Sequence, residues 1–322
     1  MAKKKPIASI SLDLDNQWSY MKIHGDDGWD QYPSYFNIFV PHVLNVLDEL
    51  DLKITFFIVG KDTESEENSR YLKMITDRGH EPGNHSYHHE SWLQSYSYEK
   101  VEQEIIAAEE AIERVTGQRT TGFRGPGFSW SNDLLKVLEK RGYNFDASTL
   151  PTYLGPLARM YYFQKSDLSK EEKKARKELF GKFSEGFRRL KPYQWDLGSG
   201  KTITEIPVTT MPVFKLPFHL SYLIYLGNIS MSLMKLYLNS AIRMCKLTNT
   251  PISFLLHPLD LIGGDQIQQL AFFPGMNVSS TKKVEIFKKV IQTLQKNYEL
   301  VNMTKHHTYL KEHAKLQAMK LN

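Results

Sequence analysis

Runs of β-branched and aromatic residues alternate with amphipathic helical stretches through this chain, and no other feature restricts its fold so strongly. Pro6 to Leu14 and Lys53 to Val59 read as strands, with an apolar helical pattern from Ile38 to Leu50 between them. The pattern continues as a helix over Arg70 to Asp77, a strand at His80 to Gly83, a helix from Tyr98 to Val115 and a strand at Thr121 to Arg124. A helix at Asn132 to Arg141 and a strand at Tyr143 to Asp146 follow. Further strands are expected at Thr202 to Val208, Ile252 to His257 and Tyr298 to Asn302, separated by helices at Tyr222 to Lys246 and Lys282 to Gln295. Such alternation favours a largely parallel sheet with helices outside it. The expected fold is α/β, a distorted (β/α) barrel of about seven strands, with its site where the strands end.

Two segments interrupt this pattern within what reads as a single catalytic domain over residues 1–322. Between Pro151 and Lys201, a basic and acidic stretch is followed by Phe180, Phe183, Phe187 and Leu190 at near-helical spacing, which predicts an inserted amphipathic helix. Its plain reading is a helix packed by its aromatic face onto the barrel, and its sharper one an interfacial membrane helix. The apolar stretch from Met211 to Leu238 is broken by Pro212, Pro217, His219, Gly227 and Asn228. No uninterrupted run reaches the roughly 18 to 20 apolar residues that span a bilayer. A greasy substrate groove or a shallow, peripheral membrane contact are the readings left for it.

Composition narrows the partners. The 322 residues are 41% hydrophobic and 24% charged, as in ordinary soluble globular proteins. A single cysteine, Cys245, excludes an intramolecular disulfide and any multi-cysteine metal site. The formal net charge of +5 is not gathered into a stripe, so nucleic acid is not expected as a partner. The start, Met-Ala-Lys-Lys-Lys-Pro, is followed by only a short apolar run before Asp13, which argues against a secretory signal and for a cytoplasmic chain.

Against this scaffold, Ser-Leu-Asp-Leu-Asp-Asn places Asp13 and Asp15 at a strand end with side chains on one face. Asn-His-Ser-Tyr-His-His supplies His85 and His89, expected on one face of a helical turn, with His88 an ambiguous third imidazole. Two imidazoles and one carboxylate leave coordination positions open, as catalytic zinc requires, and the second carboxylate is free to take a proton from water. Either aspartate could fill either role. Arg124, in Phe-Arg-Gly-Pro-Gly-Phe, ends a strand and could orient a carboxylate, and His257, in Phe-Leu-Leu-His-Pro-Leu-Asp, could protonate a leaving amine. Asp146, in Tyr-Asn-Phe-Asp-Ala-Ser, either lines the site or steadies a neighbour, or is an ordinary strand-end aspartate. Each residue alone also has a plain structural reading.

Taken in order, Leu-Asp-Leu-Asp, Gly-His-Glu-Pro-Gly-Asn-His-Ser-Tyr-His-His, Phe-Arg-Gly-Pro-Gly and Leu-Leu-His-Pro resemble the motifs of the polysaccharide deacetylase family, the NodB-homology or carbohydrate esterase family four group. The resemblance runs from Ile7 to about Met303. It implies a distorted barrel and metal-dependent hydrolysis of an N-acyl group, acetyl or formyl, on an amino sugar. On matching positions it implies Asp13 as base, Asp15, His85 and His89 as metal ligands, Arg124 orienting the base and His257 as general acid. Leu14 separates aspartates that are adjacent in the commonest family motif, which places the chain with the Asp-x-Asp branch and leaves the exchange of Asp13 and Asp15 open. The implied cofactor is a divalent metal, Zn2+ first, with Co2+, Ni2+ or Mn2+ also suited. The expected partner is an N-acylated amino sugar that is lipid-linked, for instance on polyprenyl phosphate, nucleotide-linked or small. The rival readings are a non-sugar amide hydrolase on the same barrel and a non-catalytic sugar-binding protein.

Overall fold

A computed structural model of the chain describes residues 5–153 and 187–321. Strand β1 (Ile7–Leu14) is its axis. Ala8, Ile10, Leu12 and Leu14 pack into the large apolar cluster beneath the outer helices, while Ser9, Ser11 and Asp13 alternate onto the other face. That side is polar: Ser9 Oγ lies 2.7 Å from His306 Nδ1 and Ser11 Oγ accepts from Arg124 Nη1 at 2.9 Å.

In chain order there follow α1 (Gln17–His24), α2 (Phe36–Glu49), β2 (Thr55–Ile58), α3 (Glu66–Asp77), β3 (Glu81–Asn84), α4 (Tyr98–Thr116), β4 (Gly122–Phe123), α5 (Asn132–Lys140) and β5 (Phe145–Asp146). The second half holds β6 (Tyr193–Asp196), β7 (Thr202–Glu205), a hairpin of β8 (Thr210–Met211) and β9 (Leu216–Pro217), α6 (Leu220–Ile229) and α7 (Met231–Leu247). It ends with β10 (Ile252–Leu256), α8 (Ser280–Asn297), β11 (Glu299–Val301), α9 (Met303–His313) and β12 (Ala318–Lys320).

The sheet runs β10-β1-β2-β3-β4-β5-β7-β6-β12, and only the β6–β7 pair is antiparallel. Parallel strands β10 to β7 make the seven-strand run that the alternation predicts. Strand pairing leaves this run open, but the Thr209 amide donates to the Ser253 carbonyl at 3.0 Å and the Ser253 amide to Thr209 Oγ1 at 2.8 Å. Those bonds join the chain after β7 to β10 and draw the ends into a distorted barrel. Helix α9 packs on the polar side of β1 through His306, and Met303 and Leu310 join Phe57, Phe145 and Ile206 in a small apolar cluster. It thus fills the barrel interior away from the strand ends that carry the site.

Several expectations need correction. The helix read over Tyr222–Lys246 is two helices, because Ser230 is extended (φ −159°, ψ 124°) and its hydroxyl caps Leu233. The histidines at 85 and 89 lie on a loop after β3 rather than on a helical turn: Ser86 and His89 adopt φ of 63° and 55°. The predicted insert helix falls largely outside the described residues. Among the described residues, no helix is long and apolar enough to cross a membrane.

Candidate active site

The loop after β3 is fixed before any ligand chemistry arises. Asn84 donates to the Ile105 carbonyl and the Tyr143 hydroxyl, while its Oδ1 accepts the Ser86 amide at 2.8 Å. Glu104 of α4 accepts the amides of Tyr87 and His88, each at 3.1 Å, and its other oxygen lies 2.5 Å from His88 Nδ1. His88 is therefore turned to Glu104, away from its two neighbours. The Gly60 and Lys61 amides donate to the Ser86 and Tyr87 carbonyls, so β2 holds the same loop from its other edge.

Held this way, His85 Nε2 and His89 Nε2 lie 3.5 and 2.9 Å from Asp15 Oδ1, just past the end of β1. One atom from each of the three residues falls within 4.8 Å of the others. The His85 Nδ1 lies 2.6 Å from the Arg124 carbonyl. A carbonyl can only accept, so Nδ1 carries the proton and Nε2 presents a lone pair toward Asp15. Asp15 Oδ1 is itself fully covered and makes no well-aligned hydrogen bond among the described residues. Acceptors converging on one covered point fit a cation, and a second hydrogen bond that orients an imidazole is what metal-ligating histidines use.

Arg124 serves both halves of this site. Its carbonyl orients His85, and its buried guanidinium donates through Nη1 to Asp13 Oδ1 at 2.6 Å and through Nε to the Ala147 carbonyl at 3.1 Å. The guanidinium carbon sits 4.4 Å from the centre of the Phe57 ring, which braces the cation from one side. Asp13 is thus a fixed carboxylate next to the Asp15 cluster, and the structure brings Asp13, Asp15, His85, His89 and Arg124 together.

His257 stands at the end of β10, half-buried. Its amide donates to Asp260 Oδ2 at 2.9 Å, and its Nδ1 lies 3.8 Å from that oxygen. Burial pulls the imidazole down, but Asp260 first, then Asp13 and Asp15, push it up to about 9. His219, preceding α6, has its ring centre 6.4 Å from that of His257, edge to face. Its Nδ1 is covered without a partner among the described residues, and burial pushes it down to about 4, so it stays neutral.

Asp146 does not join the cluster. It is fully buried, register-paired with the equally buried Glu205 of β7, and accepts from Ser148 Oγ at 2.5 Å. Burial first and then the neighbouring Asp146 push Glu205 well above the carboxylate range. Sequence reading missed Glu104, Glu205, His219 and Asp260. Only Asp260 left a readable trace, since it stands three residues after His257 at the spacing of a reciprocal cap.

The family model described as polysaccharide deacetylase matches residues 21–145, a stretch that includes His85, His89 and Arg124. A peptidoglycan deacetylase from Helicobacter pylori is 31% identical over 128 residues, 40% of this chain and 41% of that protein. A peptidoglycan-N-acetylglucosamine deacetylase from Bacillus cereus is 28% identical over 139 residues, 43% of this chain and 61% of its own. These matches span less than two thirds of either relative. A crystal structure from Mycobacterium smegmatis, assigned as a polysaccharide deacetylase, overlays on 100% of this chain and 96% of its own with a TM-score of 0.62 at 18% identity, a likeness of fold. Through residues 21–145 the chain is similar to the polysaccharide deacetylase family.

Proposed function

We propose that the protein hydrolyses the N-acyl group, acetyl or formyl, of an amino sugar, using a divalent cation held by Asp15, His85 and His89. The observation that carries this reading is the convergence of those three residues beside a carboxylate, Asp13, that Arg124 holds at 2.6 Å. Two nitrogens and one oxygen suit zinc, and cobalt, nickel or manganese would also bind the set. Such a cation polarises an acyl carbonyl and acidifies a water. Asp13, which Arg124 holds at the strand end, takes the proton of the attacking water. His257, kept protonated by Asp260, delivers a proton to the departing nitrogen, leaving an amino sugar and acetate or formate.

The names of the relatives support an N-acetylated glycan as the substrate class. Within that class we favour a lipid-linked sugar met at the cytoplasmic membrane face, because exposed apolar side chains flank the His219 side of the site. The deciding experiment loads the protein with zinc or cobalt and presents soluble and lipid-linked N-acetyl and N-formyl amino sugars, following loss of acyl mass. Stoichiometric metal without amine release from any of them would sink the reading.

A further inference from the structure

Val213 and Phe214 form the tip of the β8–β9 hairpin, Tyr225 and Ile229 lie one turn apart on α6, and Leu236 follows on α7. All five are between 61% and 71% exposed. The three elements pack together: the Tyr237 hydroxyl of α7 donates to the Pro217 carbonyl of β9 at 2.7 Å, and the ring centre of Tyr222 of α6 lies 5.3 Å from that of Tyr237. The helix α6 begins at His219, so this apolar rim starts at the wall of the site. At the tip, the Phe214 amide donates to the Pro212 carbonyl at 2.9 Å, closing a three-residue turn that holds β-branched Val213 at φ +70°. That conformation is costly for such a residue, and it directs two apolar side chains into solvent.

Charge separates the candidate occupants. No Asp or Glu stands between Glu205 and Asp260, whereas Lys215 follows the hairpin tip and the exposed Lys235 stands beside Leu236 at the start of α7. Apolar anchors with cations and no carboxylate match the headgroup layer of an anionic bilayer, where each carboxylate would be repelled. We propose that this face, from the hairpin tip across α6 to the start of α7, docks the protein on an anionic lipid bilayer with Val213 and Phe214 leading. The His219–His257 wall then opens toward substrate held at the membrane, a placement that rests on the deacetylase reading, whereas the docking itself does not.

The test is co-sedimentation of the full chain with vesicles of phosphatidylcholine alone or mixed with phosphatidylglycerol. Wild type should pellet with the anionic vesicles and be released by salt. The triple variant Phe214→Ser, Ile229→Ser, Leu236→Ser should bind about tenfold more weakly, and Ile38→Ser, at an exposed position of α2 outside this face, should bind as wild type does. Thermal melts establish that the triple variant folds, and the three single variants, each losing part of the binding, serve if it does not. Wild type left in the supernatant at low salt overturns the proposal, as does full binding by the folded triple variant. A wild-type dimer that the triple variant turns into a monomer would assign the face to a second copy instead. Amine release from a soluble N-acetylated sugar, assayed on the same samples, should be equal in wild type and the triple variant. Its absence from both would break the deacetylase reading and leave the vesicle result standing.

Discussion

The two walls of the site are built by opposite means. On one, β1, β3 and β4 bring Asp13, Asp15, His85, His89 and Arg124 together, and the neighbouring backbone takes part in fixing them. The Arg124 carbonyl fixes His85, Asn84 and Glu104 fix the loop, and Ser11 and the Ala147 carbonyl fix the guanidinium. On the other, His219 has no side-chain bond among the described residues, and the ring of His257 stands 3.8 Å from Asp260. The difference follows from charge. Converging carboxylates and a buried guanidinium are tolerated only when each is paired and hydrogen-bonded, so that wall must be rigid before substrate arrives. A neutral imidazole and a shallow acid carry no such requirement, and that wall is free to adapt to what it binds.

The strongest way to break the comparison is to remove a group from the rigid wall. Asp13→Asn should lower turnover roughly 10²–10⁴-fold, the scale of a lost general base, with metal content near that of wild type, whereas His85→Ala should lose both metal and turnover. Metal analysis beside kinetics checks this; loss of metal from Asp13→Asn but not from Asp15→Asn would show that the two aspartates have exchanged roles. Next in size is Arg124→Met. It strands a buried Asp13, which should cost roughly 3–5 kcal/mol of stability and be seen in chemical denaturation. Unchanged stability would mean that the Asp13 pair is not held as tightly as its 2.6 Å contact implies.

How much of each wall could be read in the sequence follows the same division. The period-two pattern put Asp13 and Asp15 on one face, and the structure adds that Ser9 and Ser11 share the face of Asp13 while the apolar residues of β1 take the other. Asp15, His85, His89, Arg124 and His257 were legible because chemistry places them at strand ends. The helical turn expected for His85 and His89 failed because spacing cannot reveal the left-handed backbone at Ser86 and His89, which long-range bonds from Glu104 and β2 impose. Glu104 and Glu205 were invisible for a related reason. On α4 and β7 each looks like any charged residue until the fold buries it. His219 read only as a break in an apolar run, since nothing local brings it near His257.

Asp260 offers a smaller and sharper test of the adaptable wall. As the proposed acid His257 must be protonated, so activity is expected to be held below its pKa and lost as pH rises through it. Asp260 is the leading cause that raises that pKa to about 9. In Asp260→Asn the alkaline limb of kcat/KM should therefore move toward neutral pH, with activity at pH 6 largely kept and activity at pH 8 reduced. An alkaline limb that stays in place would assign it to another group.

The smallest effect expected is that of His219→Phe. The substitution fills similar space but removes a neutral imidazole whose Nδ1 is covered and unpaired among the described residues. If that wall adapts to substrate, the imidazole is completed by a hydroxyl or carbonyl of the bound sugar, a bond of about 1 kcal/mol. Its loss should then raise KM roughly 3- to 10-fold and leave kcat within about twofold, because the interaction would be the same in ground and transition states. Should kcat fall instead with KM unchanged, His219 belongs with the rigid wall as a group engaged only in the transition state, and the division of the site into a fixed and an adaptable half would have to be redrawn.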